Sequence, residues 1–216
     1  MTNTLKSILT AGAIGLANIL PMKNVEAQGN VRGSLEFIQS EIGENSYPRL
    51  NSFYRLPQRI SGYTFMEFYK NGDGYFGRTN LNRPIINGVG PRTIMIHGGE
   101  PVSKVGLGIG AIMPHMPRNI SATAGVIPFW IDKDGRRIRN NIEFQYSINA
   151  NLPLGLSVNS FGIWNVAAQN GPQWRYGEVN AGRNFGKFRI SYNPALLNDG
   201  DAYPKLEHRA AIELKF

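Results

Sequence analysis

From Ile138 to Asn149 the side chains change character at almost every step. Ile138, Asn140, Ile142, Phe144, Tyr146 and Ile148 fall on one side of an extended chain. Arg139, Asn141, Glu143, Gln145, Ser147 and Asn149 fall on the other. Five of the first six are apolar and all of the second six are polar, so the pattern has a period of two. Strand side chains alternate between faces with that period, whereas a helix with 3.6 residues per turn would mix the two sets. The segment is also long enough to cross a bilayer as a tilted strand, which takes about 9–11 residues. A chain built of such strands needs an apolar surrounding on one face and water or polar partners on the other.

The segment KLEHRAAIELKF at 205–216 repeats the pattern. Ala210, Ile212, Leu214 and Phe216 share one face, and Arg209, Ala211, Glu213 and Lys215 the other. It resembles the closing strand of bacterial outer-membrane β-barrel proteins, which ends in Phe and is read by the barrel-assembly machinery. The resemblance implies a location in the bacterial outer membrane and contact with its lipid. It also implies that Phe216, with Leu214 and Ile212, is the assembly signal.

The opposite end of the sequence agrees. Residues 1–27 read as a signal peptide: Lys6 gives a positive start, SILTAGAIGLANILPM an apolar core, and Val25-Glu26-Ala27 small residues at −3 and −1 before Gln28. A membrane anchor is the competing reading, but the apolar run is shorter than the ~20 residues of a spanning helix. No later stretch approaches that length, which excludes a helical membrane protein. Residues 28–216 are then a single β-barrel domain.

Within that domain shorter alternating runs recur. Val31, Leu35 and Phe37 oppose Arg32, Ser34 and Glu36. Val105, Leu107, Ile109, Ala111 and Met113 oppose Lys104 and three glycines. Phe188, Ile190 and Tyr192 oppose Lys187, Arg189 and Ser191. NGDG at 71–74, DKDG at 132–135, NLPLG at 151–155 and RNFGK at 183–187 supply turns. Together they predict an all-β fold: one antiparallel transmembrane β-barrel of about 10 strands. The ten are 31–39, 60–70, 75–83, 103–113, 120–131, 137–149, 154–166, 172–182, 186–193 and 205–216. TIMIHG at 93–98 reads as part of an outer loop, because one further strand would break the even count of single-chain bacterial barrels. Twelve strands, with a second addition near 47–56, is the alternative.

The hairpin YTFMEFYKNGDGYFGRTNL at 63–81 resembles part of the nucleoside-specific channel proteins, which implies small polar solutes. The chain carries net charge +8, falling to +7 without residues 1–27. Its basic residues are scattered singly rather than clustered, which argues against a nucleic-acid partner. There is no Cys, hence no disulfide, thiolate nucleophile or Cys-based metal site.

Alternation places Arg32, Glu36, Arg78, Lys104, Arg139, Glu143, Lys187, Arg189, Arg209 and Glu213 on the lumen face. With Glu67, Glu207 and Lys215 that set holds eight basic and five acidic residues. Such charges must pair or meet water. A thin wet pore with a basic bias, favouring small polar or anionic solutes, is the leading reading. A closed salt-bridge plug, making a structural or adhesive barrel, is the alternative. A lipid-modifying outer-membrane enzyme and a secreted soluble β-barrel binder rank lower. Of the three His, His97 beside Gly98-Gly99-Glu100 has the most suggestive context, His115 lies in a turn and His208 on the lipid register. No GxSxG accompanies them and no His/Asp/Glu set has ligand spacing. DKDG lacks the other ligands of a calcium loop. No catalytic residue, metal or cofactor is expected.

Overall fold

The computed structural model describes residues 30–40, 46–68, 74–98, 104–139, 141–167, 171–198 and 204–216. The expected signal peptide at 1–27, most of NGDG and the Gly99-Glu100 pair lie outside the described residues. The strands are β1 (Asn30–Ser40), β2 (Ser46–Arg55), β3 (Ser61–Phe68), β4 (Tyr75–Asn82), β5 (Val89–His97), β6 (Lys104–Ile112) and β7 (Ile120–Ile131). They continue with β8 (Arg137–Ile138), β9 (Ile142–Asn151), β10 (Leu156–Ala167), β11 (Gly171–Phe185), β12 (Phe188–Tyr192), β13 (Ala195–Leu197), β14 (Lys205–Glu207) and β15 (Arg209–Lys215). Every pairing is antiparallel between neighbours. β15 returns to pair with β1, from Ser34↔Lys215 to Ser40↔Arg209, and β10 pairs with β11, so the sheet closes on itself, with the short extensions β8 and β14 paired on one side alone.

Three wall positions are each built from two pieces. β8 and β9 both lie along β7; β12 and β13 both lie along β11, interrupted at Asn193-Pro194; β14 and β15 are interrupted at His208. Counted as wall positions the barrel has twelve strands. The expectation of about ten is therefore corrected to the alternative of twelve. The additions are β2 and β5, at 46–55 and 89–97. Each contains a proline, which argues against a central strand because it cannot donate to the ladder. Here Pro48 and Pro91 each lie one position beyond where β2 pairs with β3, and β5 with β4. The count stays even, and residues 30 and 216 lie at the same end, which we call the near end.

The faces follow the alternation. Val31, Phe37, Ile109, Phe144, Ile148, Phe188, Ile190 and Ile212 are exposed on the outer wall. Ser34, Glu36, Asn51, Arg78, Glu143, Gln145 and Arg189 are buried inside. A soluble ligand-binding barrel is arranged the other way, apolar inside and polar outside. β7 takes up a bulge where Leu107 pairs with Phe129 and Ile109 with Val126, leaving Ile127 and Pro128 opposite Gly108. The bulge turns both Ile127 and Trp130 inward, where they form a small apolar cluster with Ile94 on the wall of β5–β7.

Candidate functional site: the barrel lumen

At mid-height the lumen is crossed by two ion-pair networks. Arg49 of β2 donates from Nε to Glu67 at 2.8 Å and from Nη2 to Glu178 of β11 at 3.2 Å, and lies 3.5 Å from Glu36. Between β2 and β11 the wall runs through β1, β15 and β12, so the Arg49–Glu178 pair spans the interior rather than two neighbouring strands. Glu178 also accepts from Tyr176 Oη at 2.6 Å and sits 3.6 Å from Arg209. Arg209 pairs with Glu207, which accepts from Ser40. Asn193, fully buried at the strand interruption, donates to Glu36 at 3.0 Å.

The second network joins Arg78 of β4 to Glu143 of β9, across the span of β5, β6 and β7. Gln145 donates to Glu143 and accepts from Arg92 Nη2 at 2.8 Å. Near the opposite wall, Arg189 donates to Ser157 Oγ at 3.1 Å and lies 3.7 Å from Glu213.

Of the ten residues expected in the lumen, Glu36, Arg78, Glu143, Arg189 and Arg209 are buried there, and Glu213 faces the same interior. Lys104 holds its ammonium 5.1 Å from the Trp130 ring centroid. Arg32 shares the inward register of Glu36 but lies exposed at the near rim. Two expectations are corrected. Arg139 is an exposed turn residue between β8 and β9, because the strand breaks there and Ile138, rather than Arg139, turns inward against the Trp130 cluster. Lys187 is exposed in the tight β11–β12 turn. Arg49, Arg92 and Glu178 join the interior unforeseen. Two come from β2 and β5, which a ten-strand reading leaves out, and the third from β11, where Arg175 is an extra residue opposite the Ile163/Trp164 step. Away from the rims the interior therefore balances Arg49, Arg78, Arg92, Lys104, Arg189 and Arg209 against Glu36, Glu67, Glu143, Glu178, Glu207 and Glu213.

From these networks toward the near end opens a cavity of about 340 Å³. Asn51, Asn80, Asn82, Asn149, Asn159, Asn180, Ser61, Ser147 and Thr123 supply its polar lining, and Phe53, Tyr63 and Phe65 an aromatic one. Arg92 reaches into it across Gly110 and Gly125. A Cβ on Gly125 would stand 2.7 Å from Arg92 Nη1, so glycine there leaves room for the guanidinium.

The wall of β2–β5 departs from strict alternation. Beside Arg49, Asn51, Glu67 and Arg78 its lumen face carries Phe53, Tyr63, Phe65 and Phe76, and beside Leu50, Met66, Leu81 and Met95 its outer face carries a chain of hydroxyls. Tyr54 Oη lies 3.2 Å from Thr64 Oγ1, Thr64 2.9 Å from Thr79, and Thr79 3.2 Å from His97 Nε2. His97, expected in an outer loop, is thus the last residue of β5. His115 lies in the near-end turn after β6 and His208 contacts Tyr192 on the outer face, as read from the sequence. Among the described residues no group of three or more His, Asp or Glu could hold a metal ion. At the seam Phe216 exchanges backbone hydrogen bonds with Gly33 at 2.9 and 3.0 Å, and its ring covers that glycine.

A closed barrel with an apolar outer wall and a charged, partly hollow interior is the architecture of a transmembrane β-barrel. A solved structure shares that fold. The KdgM porin superposes over 86% of this chain and 99% of its own with a TM-score of 0.58, at 7% identity. OpdO of Pseudomonas aeruginosa matches over 90% of this chain and 67% of its own, with 12% identity and a TM-score of 0.41. No family model and no curated protein matches the sequence. The chain has the fold of a bacterial outer-membrane porin barrel.

Proposed function

We propose that this protein is a narrow porin-like channel of the bacterial outer membrane, passing small polar or anionic solutes. Residues 1–27 direct export, and Phe216, Leu214 and Ile212 are read by the assembly machinery. The observation that carries the reading is the interior itself. A cavity lined by amides and hydroxyls, among them those of Asn51, Asn149, Asn159, Asn180 and Ser147, reaches from the near end to mid-height. A lining of that polarity is one that water and small polar solutes wet.

A non-conducting structural barrel is the second reading, favoured by the Arg49–Glu178 and Arg78–Glu143 pairs that cross the interior. Planar-bilayer recording separates the two. A channel gives small reproducible conductance steps, and these enlarge when Arg49 and Glu178 are both shortened to Ala. Silence from well-inserted protein refutes the channel.

A further inference from the structure

Charge is divided unequally along the barrel axis. Lys6, Lys23 and Glu26 aside, the sequence holds 14 Asp and Glu and 21 Lys and Arg. Six of each balance inside the lumen. The other eight acidic residues all belong to the far end, opposite the termini. Asp132 and Asp134 lie in the β7–β8 turn, and Glu41, Glu44, Asp73, Glu100, Asp199 and Asp201 in the sequences that join strands there. Lys70, Arg175, Lys205 and the four cations of residues 133–139 share that end, which is therefore close to neutral. The near end holds the remaining eight basic residues and, among the described residues, no Asp or Glu. The positive excess of the barrel thus sits at one rim.

These cations encircle the rim. Four of the five near-end turns carry one each: Arg59 between β2 and β3, Arg83 between β4 and β5, Arg118 between β6 and β7, and Lys187 between β11 and β12. Arg183 stands on the outer wall of β11, in register with lipid-facing Ile190 and 5.3 Å from the Phe185 ring centroid. All five are exposed. Exposed apolar side chains lie beside them in the chain: Ile85 and Ile86 after Arg83, Met116 before Arg118, and Phe185 and Phe188 on either side of Lys187. Arg32, Arg55 and Lys215 share the inward register at the mouth. Like charges gathered without a carboxylate raise the potential of that rim and attract whatever anion surrounds it.

From this distribution we infer that the near end is a collar that binds anionic phospholipids, with Arg and Lys meeting the headgroup phosphates and Ile85, Phe185 and Phe188 meeting the acyl chains. A soluble acidic partner would call for the charges on one patch, and a permeating anion would call for them at the mouth. Five of the eight instead stand outside the mouth and are spread round the circumference, where the surrounding molecule is lipid. A zwitterionic headgroup brings its own cation and has less to offer them. A Lys or Arg beside an anionic lipid surface is favoured by an amount that corresponds to about fivefold in occupancy. The inference needs the barrel to lie in a bilayer, as its apolar wall requires, but not to conduct.

Tryptophan quenching reads which lipid surrounds each end. The protein is folded in vesicles of phosphatidylcholine with a minority of phosphatidylglycerol, with bromine on one lipid or the other. Phe188→Trp and, on the opposite side of the ring, Ile85→Trp report the near end, each with Trp164 and Trp174 replaced by Phe. In the unaltered protein Trp164 and Trp174, toward the far end of β10 and β11, report that end. Trp130 is fully buried in all of them. Phosphatidylglycerol should exceed its share about threefold or more at both near-end reporters, and stay close to its share at the far end. Arg183→Gln with Lys187→Gln should remove the preference at the first reporter and Arg83→Gln at the second. Salt at about 1 M should remove both, because the Debye length falls to roughly 3 Å; this arm needs no charge variant to fold. Quenching in proportion to composition, a preference indifferent to the Gln substitutions or to salt, or a preference at one near-end reporter alone would each overturn the inference. Binding of soluble polyglutamate that the same substitutions abolish, without any lipid preference, would also overturn it and assign the collar to an acidic protein. Lipid preference in a protein that passes no current would uphold it and refute the channel.

Discussion

The Arg49 network offers a quantitative test of how dry the middle of the barrel is. Arg49 is buried and touches three carboxylates, Glu36, Glu67 and Glu178, two of them buried as deeply as itself. Arg49→Met keeps much of the side chain's volume and removes its charge. Arg209 then remains as the neighbouring cation, and it is already committed to Glu207 and 3.6 Å from Glu178. Breaking a buried pair by removing one partner costs about 3–5 kcal/mol, because an uncompensated charge stays behind. Glu178→Met on the Arg49→Met background removes one of those charges and should recover part of the loss, a coupling on the order of 1–3 kcal/mol. The assay is urea unfolding of the protein folded in phospholipid vesicles, followed by the gel shift between folded and unfolded forms. A loss at or below ~1 kcal/mol for Arg49→Met, the range of solvated pairs, would refute a dry cross-link. It would mean instead that lumen water screens these carboxylates.

Other expectations follow from register and packing. Leu107→Arg places a cation on the lipid face at mid-strand, at a cost of roughly 2–4 kcal/mol; folded protein should drop sharply in outer-membrane fractions, while Ser147→Arg, on the lumen face, should still assemble and only reduce conductance. Deleting Phe216 removes two backbone bonds to Gly33 and the ring that covers it, so heat-modifiable folded protein should decline more than after deleting Asp134 in an exposed turn. Twelve strands put the β3–β4 connection at the end opposite the termini, whereas ten would put it beside them. An epitope inserted after Gly74 should therefore be detected on intact cells, and detection only after lysis would contradict the twelve-strand topology.

The strands that were readable in the sequence are those whose two faces meet different solvents. In β9, Phe144 and Ile148 meet lipid while Glu143 and Gln145 meet the lumen, and β12 and β15 behave alike. β5 is hard to read because its inward Ile94 and Ile96 join the Trp130 cluster while Met95 faces out, which makes Ile94-Met95-Ile96 an unbroken apolar run. In β2 the inward set passes from Arg49 and Asn51 to Phe53, so neither face has one character. The same two strands carry Arg49 and Arg92. Alternation extended through Arg139 and Lys187 points both inward, but the chain turns at each of them, so the pattern stops before it reaches them.

The pairing of β1 with β15 has a consequence for the order of events. Ser34 finds Lys215 only after everything between them has been synthesised, so the seam is among the longest-range contacts a chain of this length can make. Folding dominated by such contacts is slow. Until the seam forms, β1 and β15 are each bare edges whose amide and carbonyl groups will pair with any extended chain they meet. The seam that closes the finished wall thus demands the longest wait with edges open. That interval, rather than the stability of the completed wall, is when the protein is most exposed to aggregation and most dependent on being held apart from its own copies.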